Sequence, residues 1–158
     1  MTGDEALFCT FEAAGRLFGV PIEDIKEVTA EVHCTGIPHS PDCVRGYVNI
    51  RGQIILALDL KRLLKLPLDS EPEAKRLVIF KQVVGPAFGL LVDEVGEIAT
   101  VSKSNFAANQ SVHSSVPVHG AHGLVDRVCR LEKQLLVVLN PRKFLPLIEN
   151  ELSSKSSI

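Results

Sequence analysis

No run of apolar residues in this chain approaches the roughly 20 needed to cross a bilayer as a helix; the longest are about five residues. The N-terminus, Met1-Thr2-Gly3-Asp4-Glu5, lacks a basic region leading into an apolar stretch, so it does not read as a secretion signal. These absences point to a cytoplasmic protein that meets a membrane only through a partner. A strong charge of either sign is also missing. A formal net charge of −2 and a pI near 6.2 do not provide the basic surface that nucleic-acid binding needs. The four cysteines, Cys9, Cys34, Cys43 and Cys129, contain no C-x-x-C pair. In a cytoplasmic protein they read as reduced thiols, and Cys9, in an apolar run, reads as a small buried hydrophobe.

The signatures of chemistry are absent too. There is no G-x-S-x-G elbow, and Cys43 has no base near it in sequence. No segment approaches the phosphate-binding G-x-x-x-x-G-K-[ST]. A zinc site needs four convergent ligands, or three and a water. Neither His33, Cys34, His39 and Cys43 nor His119, His122 and Cys129 shows finger spacing, and the histidines read as exposed loop residues. No metal, no cofactor and no enzymatic activity are expected.

What is present is an internal repeat. At a shift of 70 residues, Leu7-Phe8-Cys9-Thr10 meets Leu77-Val78-Ile79-Phe80, Gly15 meets Gly85, and Phe18-Gly19 meets Phe88-Gly89. Ile22-Glu23-Asp24-Ile25 then meets Val92-Asp93-Glu94-Val95, and Glu27-Val28 meets Glu97-Ile98. A second block, Ile55 to Asp59 with Leu63-Leu64, meets Leu136 to Asn140 with Phe144-Leu145 at a shift of 81. The second half therefore holds about 11 extra residues within 99–134, where 102–115 is loop-like. The acidic residues Glu23, Asp24, Glu27, Asp93, Glu94 and Glu97 recur at matched positions, which favours structural roles in turns over a catalytic pair.

Each half has the same plan: a strand, a glycine turn, a second strand, an acidic turn, a strand starting near Ile25 or Val95, a hairpin and a short helix. Asp59 and Asn140 are candidate N-caps, and Pro141 suits a first helical position. Leu60, Leu63 and Leu64 give that helix an apolar face, with Pro67 and Pro146 limiting the two helices. A chain of 158 residues, 46% hydrophobic, is one domain with a substantial core. Short strands with frequent turns predict a mainly β fold. A half of about 70 residues has little core alone, so two small barrels should pack together, with strand exchange between them allowed. The expected organisation is a single domain over 1–158. Its sub-barrels would cover 6–68 and 75–149, joined by the acidic linker Asp69-Ser70-Glu71-Pro72-Glu73, with a disordered tail over 150–158. Pro21 suggests that its strand lies at an edge.

The most informative segment runs from Val44 to Leu60. One arm alternates, with Val48 and Ile50 on one face and Tyr47, Asn49 and Arg51 on the other. The arm from Ile54 to Leu58 is apolar throughout and is expected to be buried on both faces. Gly52 supplies the turn and leaves Arg51 at the lip of a rigid hairpin. The second half reads Cys129-Arg130-Leu131-Glu132-Lys133-Gln134 here, an ordinary charged and longer turn with no counterpart of Arg51.

Gly-x-Val-Asn-Ile-Arg-Gly-Gln-Ile-Ile, followed by apolar residues and Asp59-Leu60, resembles the signature of the CheW family of bacterial chemotaxis adaptors. The resemblance runs from Phe18-Gly19-Val20-Pro21-Ile22 and Ile25-Lys26-Glu27-Val28, through Ile37-Pro38, to Phe144-Leu145. It implies a duplicated pair of five-stranded barrels and a non-enzymatic scaffold. Its partners would be the cytoplasmic tip of a methyl-accepting chemoreceptor and the regulatory domain of a CheA-like histidine kinase. It sets the receptor-sensitive arginine on Arg51 and receptor contact on Ile25 and Glu27, with Val28 as the core-side neighbour and Asn49 and Gly52 completing the partner-binding set. The receptor tip, a helical hairpin, is expected in an apolar groove between the barrels near Arg51. The rival readings are a ligand- or metal-binding sensor using the His-rich loop 113–122, and an adaptor of a motility or development receptor system.

Overall fold

A computed structural model describes residues 5–30, 33–66, 76–102, 104 and 123–149. The first half supplies β1 (Glu5–Ala13), β2 (Arg16–Pro21), β3 (Ile25–Thr29), β4 (Val44–Ile50), β5 (Gln53–Asp59) and the short helix α1 (Leu60–Leu63). The second supplies β6 (Arg76–Phe80), β7 (Phe88–Val92), β8 (Glu94–Ser102), β9 (Val125–Arg130) and β10 (Leu135–Leu139). A 3-10 turn, Pro141–Lys143, then leads into the helix α2 over 144–149. The strands form two five-stranded sheets, ordered β8-β1-β2-β10-β9 and β3-β6-β7-β5-β4. The fold is thus mainly β, as its short alternating runs predict. No described helix is long and apolar enough to cross a membrane.

Each sheet joins the first two strands of one half to the last three of the other. The link within each is parallel, β5 with β7 and β10 with β2. That connectivity explains why β6 and β7 are apolar at almost every position. Leu77, Ile79 and Leu91 fill the interior of their own sheet with Val48, Ile50, Ile55 and Ala57. The alternate residues Val78, Phe80, Phe88, Leu90 and Val92 face a larger central cluster. Phe11, Phe18 and Val20 enter that cluster from the other sheet, and Leu60, Leu64 and Phe144 from the helices. Phe80 and Phe88 stack there at 4.9 Å between centroids, with Phe144 edge-on to both. A third cluster, including Phe8, Val101, Leu136 and Val138, fills the sheet built on β1.

The repeat holds in space with one adjustment. Gly19 pairs with Thr10, while Gly89 pairs with Ile79. Thr10 therefore corresponds to Ile79, and Phe11 to Phe80, one residue away from the ungapped sequence match. The extra residue lies in the longer β6–β7 turn. The other blocks keep their shifts: Val28 pairs with Val78 and Ile98 with Cys9, and Val44 pairs with Leu58 as Val125 does with Leu139. The extra residues of the second half fall between β8 and β9.

Both caps form. Asp59 accepts from Lys61 N and Arg62 N at 3.0 and 3.4 Å, and Asn140 accepts from Arg142 N at 3.1 Å ahead of Pro141. Pro146 lies inside α2 rather than after it. In the first turn of a helix the missing N–H has no intrahelical partner to lose. Pro67 falls outside the described residues, as do the linker 69–73, loop 113–122 and the tail 150–158. Pro21 ends an interior strand, not an edge, since β2 lies between β1 and β10. The parallel pairing with β10 involves Phe18 and Gly19, so no ladder bond is asked of Pro21 there. The acidic turns receive a base from the opposite half: Arg142 binds Asp24 at 3.1 Å, and Lys61 binds Asp93 at 3.0 Å. Lys61 and Arg142 stand at the same helical position, but their carboxylates are one step apart in the matched turns, since Asp24 corresponds to Glu94 and Asp93 to Glu23. The two pairs account for one carboxylate in each of those turns.

Candidate functional site

Arg51 and Gly52 form a two-residue turn between Ile50 and Gln53, which pair directly. Both have positive φ, 51° and 86°. That is the backbone hand of the tight turns that match strand twist. Glycine adopts it freely and arginine does not, so surrounding bonds must hold Arg51 there. One is visible: the Asn49 side chain accepts from Gly52 N at 2.9 Å. Asn49 of the signature is therefore a turn clamp. Gly46 has a different cause. Its φ is 140°, and a Cβ there would lie 2.1 Å from Thr35 O. Only glycine lets the Thr35 segment bridge to β4 beside Tyr47.

The turn does not project freely into solvent. Arg51 pairs with Glu27 on β3, and Lys26 donates to Gln53 Oε1 at 3.0 Å. β3 and β4 are opposite edges of one sheet. These two contacts bring the edges together and curl the sheet toward a barrel. The Arg51 side chain is still 72% exposed, against 26% for Glu27. It is a fixed guanidinium on an open surface.

The hydrogen bond from Arg51 holds the Glu27 carboxyl below the usual glutamate range, and the positive charges of Arg51 and Lys26 act in the same direction. Because the folded value is depressed, the contribution of this pair is present above the ordinary glutamate range. It disappears as pH falls through the lowered value. In Arg51→Ala, Glu27 is expected to titrate at a higher pH than in the parent. Carbon-detected NMR of the side-chain carboxyl checks this, and an unmoved midpoint would exclude the pair in solution.

The expected partner residues divide. Arg51, Glu27, Asn49 and Gly52 lie together at the hairpin tip and the facing strand. Ile25 is half-buried against the central cluster, so part of it belongs to the core. Val28 is not a core-side residue: on the edge strand β3 it is 37% exposed. Ile54 is 53% exposed and Leu56 only half-buried, so the outward face of the apolar arm is buried only from Leu58 on. Tyr47 is also exposed, at 46%, and sequence reasoning left it out of the site. Its signal was alternation, since Tyr47 and Asn49 share a face. The pairings Tyr47–Leu56 and Asn49–Ile54 put Ile54 on that face as well.

The other hairpin also needs correction. Leu131 N donates to Gln134 O at 2.9 Å, which extends the β9–β10 ladder and leaves Glu132-Lys133 at the tip. Counted from equivalent ladder positions, this turn is no longer than the first. Arg51 therefore has a positional counterpart of opposite charge, Glu132.

Burial raises the thiols of Cys9 and Cys34, and that of Cys129 to about 11, so none is poised as a thiolate. Among the described residues, no three His, Cys, Asp or Glu side chains converge on a metal-sized site. His113, His119 and His122 lie outside the described residues.

The CheW-like domain model matches residues 7–149. Probable chemotaxis protein CheW of Rhizobium etli is 30% identical over 138 residues, covering 85% of this chain and 88% of the relative. Chemotaxis protein CheW of Rhizobium meliloti is 28% identical over 141 residues, 89% of this chain and 88% of that protein. The crystal structure of the scaffolding protein TtCheW from Thermoanaerobacter tengcongensis superposes with a TM-score of 0.72 at 25% identity. It covers 85% of this chain and 88% of its own. A duplicated β fold, the Arg51 hairpin and these matches agree: the chain belongs to the CheW-like domain family and is an adaptor of chemotaxis signalling.

Proposed function

We propose that this adaptor works in the cytoplasm, without chemistry of its own, by coupling the tip of a methyl-accepting chemoreceptor to a CheA-like histidine kinase. The observation that carries the reading is a fixed, exposed Arg51–Glu27 pair beside the exposed apolar side chains of Val28, Tyr47 and Ile54. An apolar patch with a charged, pre-positioned rim suits the face of an amphipathic helix, and a receptor tip is a helical hairpin. Arg51 supplies direction. Its planar fork bonds a carboxylate or two carbonyls while its turn holds it still. Signal then passes as a change in how receptor and kinase are held by one rigid body.

The test is binding of the purified chain to a receptor cytoplasmic fragment, with and without the kinase regulatory domain. Arg51→Ala is expected to weaken receptor or ternary-complex binding by about 1–3 kcal/mol. Its unfolding midpoint should change little, because an exposed ion pair contributes little to stability. Unchanged affinity in that variant would remove Arg51 from the interface.

A further inference from the structure

The mouth that Arg51 closes in one sheet is open, among the described residues, in the other. Strand β8 is the counterpart of β3, and the β9–β10 turn is the counterpart of the β4–β5 turn. Between them lies a groove of about 450 Å³, with Thr10, Leu17, Glu97, Ile98 and Leu131 among its walls. Glu97 corresponds to Glu27, since both stand in their sheets opposite the corresponding residues Thr10 and Ile79. Thr10 Oγ1 donates to Glu97 O, and Glu27 pairs with Ile79. The cation that should face Glu97 is replaced by Glu132. Among the described residues Glu97 has no ion-pair partner. Glu12 and Glu94 add two more exposed carboxylates to the same groove. The apolar contribution is equally plain, with Ile98 57% exposed on the free edge strand.

We infer that this groove is a second docking surface, which takes a lysine- or arginine-bearing apolar segment from a partner protein. The chain demonstrates the recognition within itself. A guanidinium on a hairpin tip fills the equivalent position over Glu27. Over Glu97 no described side chain of this chain fills that position, and the partner segment supplies it. The segment's apolar side chains cover Ile98 and Leu131, and its cation meets Glu97 with Glu12 and Glu94 in the same groove. Among the described strands β8 is an edge, and its outer backbone groups give the segment a line to align on. The inference does not depend on what Arg51 binds, because it concerns the opposite sheet.

The test uses the isotope-labelled full chain and a capped peptide of alternating arginine and valine. A second peptide has citrulline, neutral and nearly isosteric, in place of arginine. The arginine peptide is expected to shift the amides of residues 94–99 and 131–134, with the citrulline peptide about fivefold weaker or worse. Glu97→Gln should weaken the arginine peptide by a similar factor without lowering the melting temperature, because Thr10 bonds the Glu97 main chain and not its side chain. Glu132→Arg supplies the missing cation in cis and is expected to abolish peptide binding. Equal affinity for the two peptides, full affinity in either variant, or shifts confined to the Arg51 hairpin would overturn the inference.

Discussion

Truncating Leu58 to alanine is expected to destabilise the protein by about 2–5 kcal/mol. Leu58 is fully buried. It sits on β5 between Val44 on one neighbouring strand and Leu90 on the other, and belongs to the central cluster that joins the two sheets. Its ladder partners Val44 and Leu90 are themselves buried in that cluster. Such a site relaxes little, so a cavity remains and the cost falls in the upper part of the range. Ile54→Ala, on the same strand but 53% exposed, should cost well under 1 kcal/mol. Chemical denaturation of both variants checks the contrast. Similar losses at the two positions would mean that β5 is not held as described.

That contrast marks what was legible beforehand. An apolar arm of five residues announced a buried strand, and the glycine and asparagine of the signature announced its turn. Exposure of Ile54 was not announced, because periodicity describes faces and not where along a strand the neighbouring sheet ends. The edge position of β3, which exposes Val28, depends on pairing with β6 from the other half. Pairing between distant segments leaves no local trace. The same is true of the one-residue offset between β1 and β6. Turn residues absorb an insertion silently, so an ungapped match looked sufficient while the ladder reads one step away. The charge reversal between Arg51 and Glu132 was present in the sequence. It became visible only when a backbone bond from Leu131 to Gln134 fixed which residues form the tip.

Of the recurring carboxylates, Asp24 and Asp93 hold the two halves together, yet their energetics are not symmetric, and the second large effect follows from that. Asp93→Ala is expected to cost about 3–5 kcal/mol. Its Oδ1 lies 3.0 Å from Lys61 Nζ, and its Oδ2 accepts from Ala14 N at 3.1 Å. The Lys61 side chain is only 6% exposed, so losing Asp93 leaves an ammonium buried without its counter-charge. It also strands the amide of Ala14, which has a positive φ of 52° and needs that bond to hold its turn. In the Asp24–Arg142 pair, built on the equivalent base, the burial is reversed. Asp24 is 4% exposed, while Arg142 is 49% exposed. Removing Asp24 leaves the cation in water, where it needs no partner, so Asp24→Ala should cost clearly less than Asp93→Ala. A double variant, Asp93→Ala with Lys61→Met, should recover part of the loss by removing the buried charge and keeping the stem's packing. Denaturation of the four proteins decides the matter. If Asp24→Ala proves as damaging as Asp93→Ala, or the double variant no better than the single one, the buried ammonium is not the source of the cost.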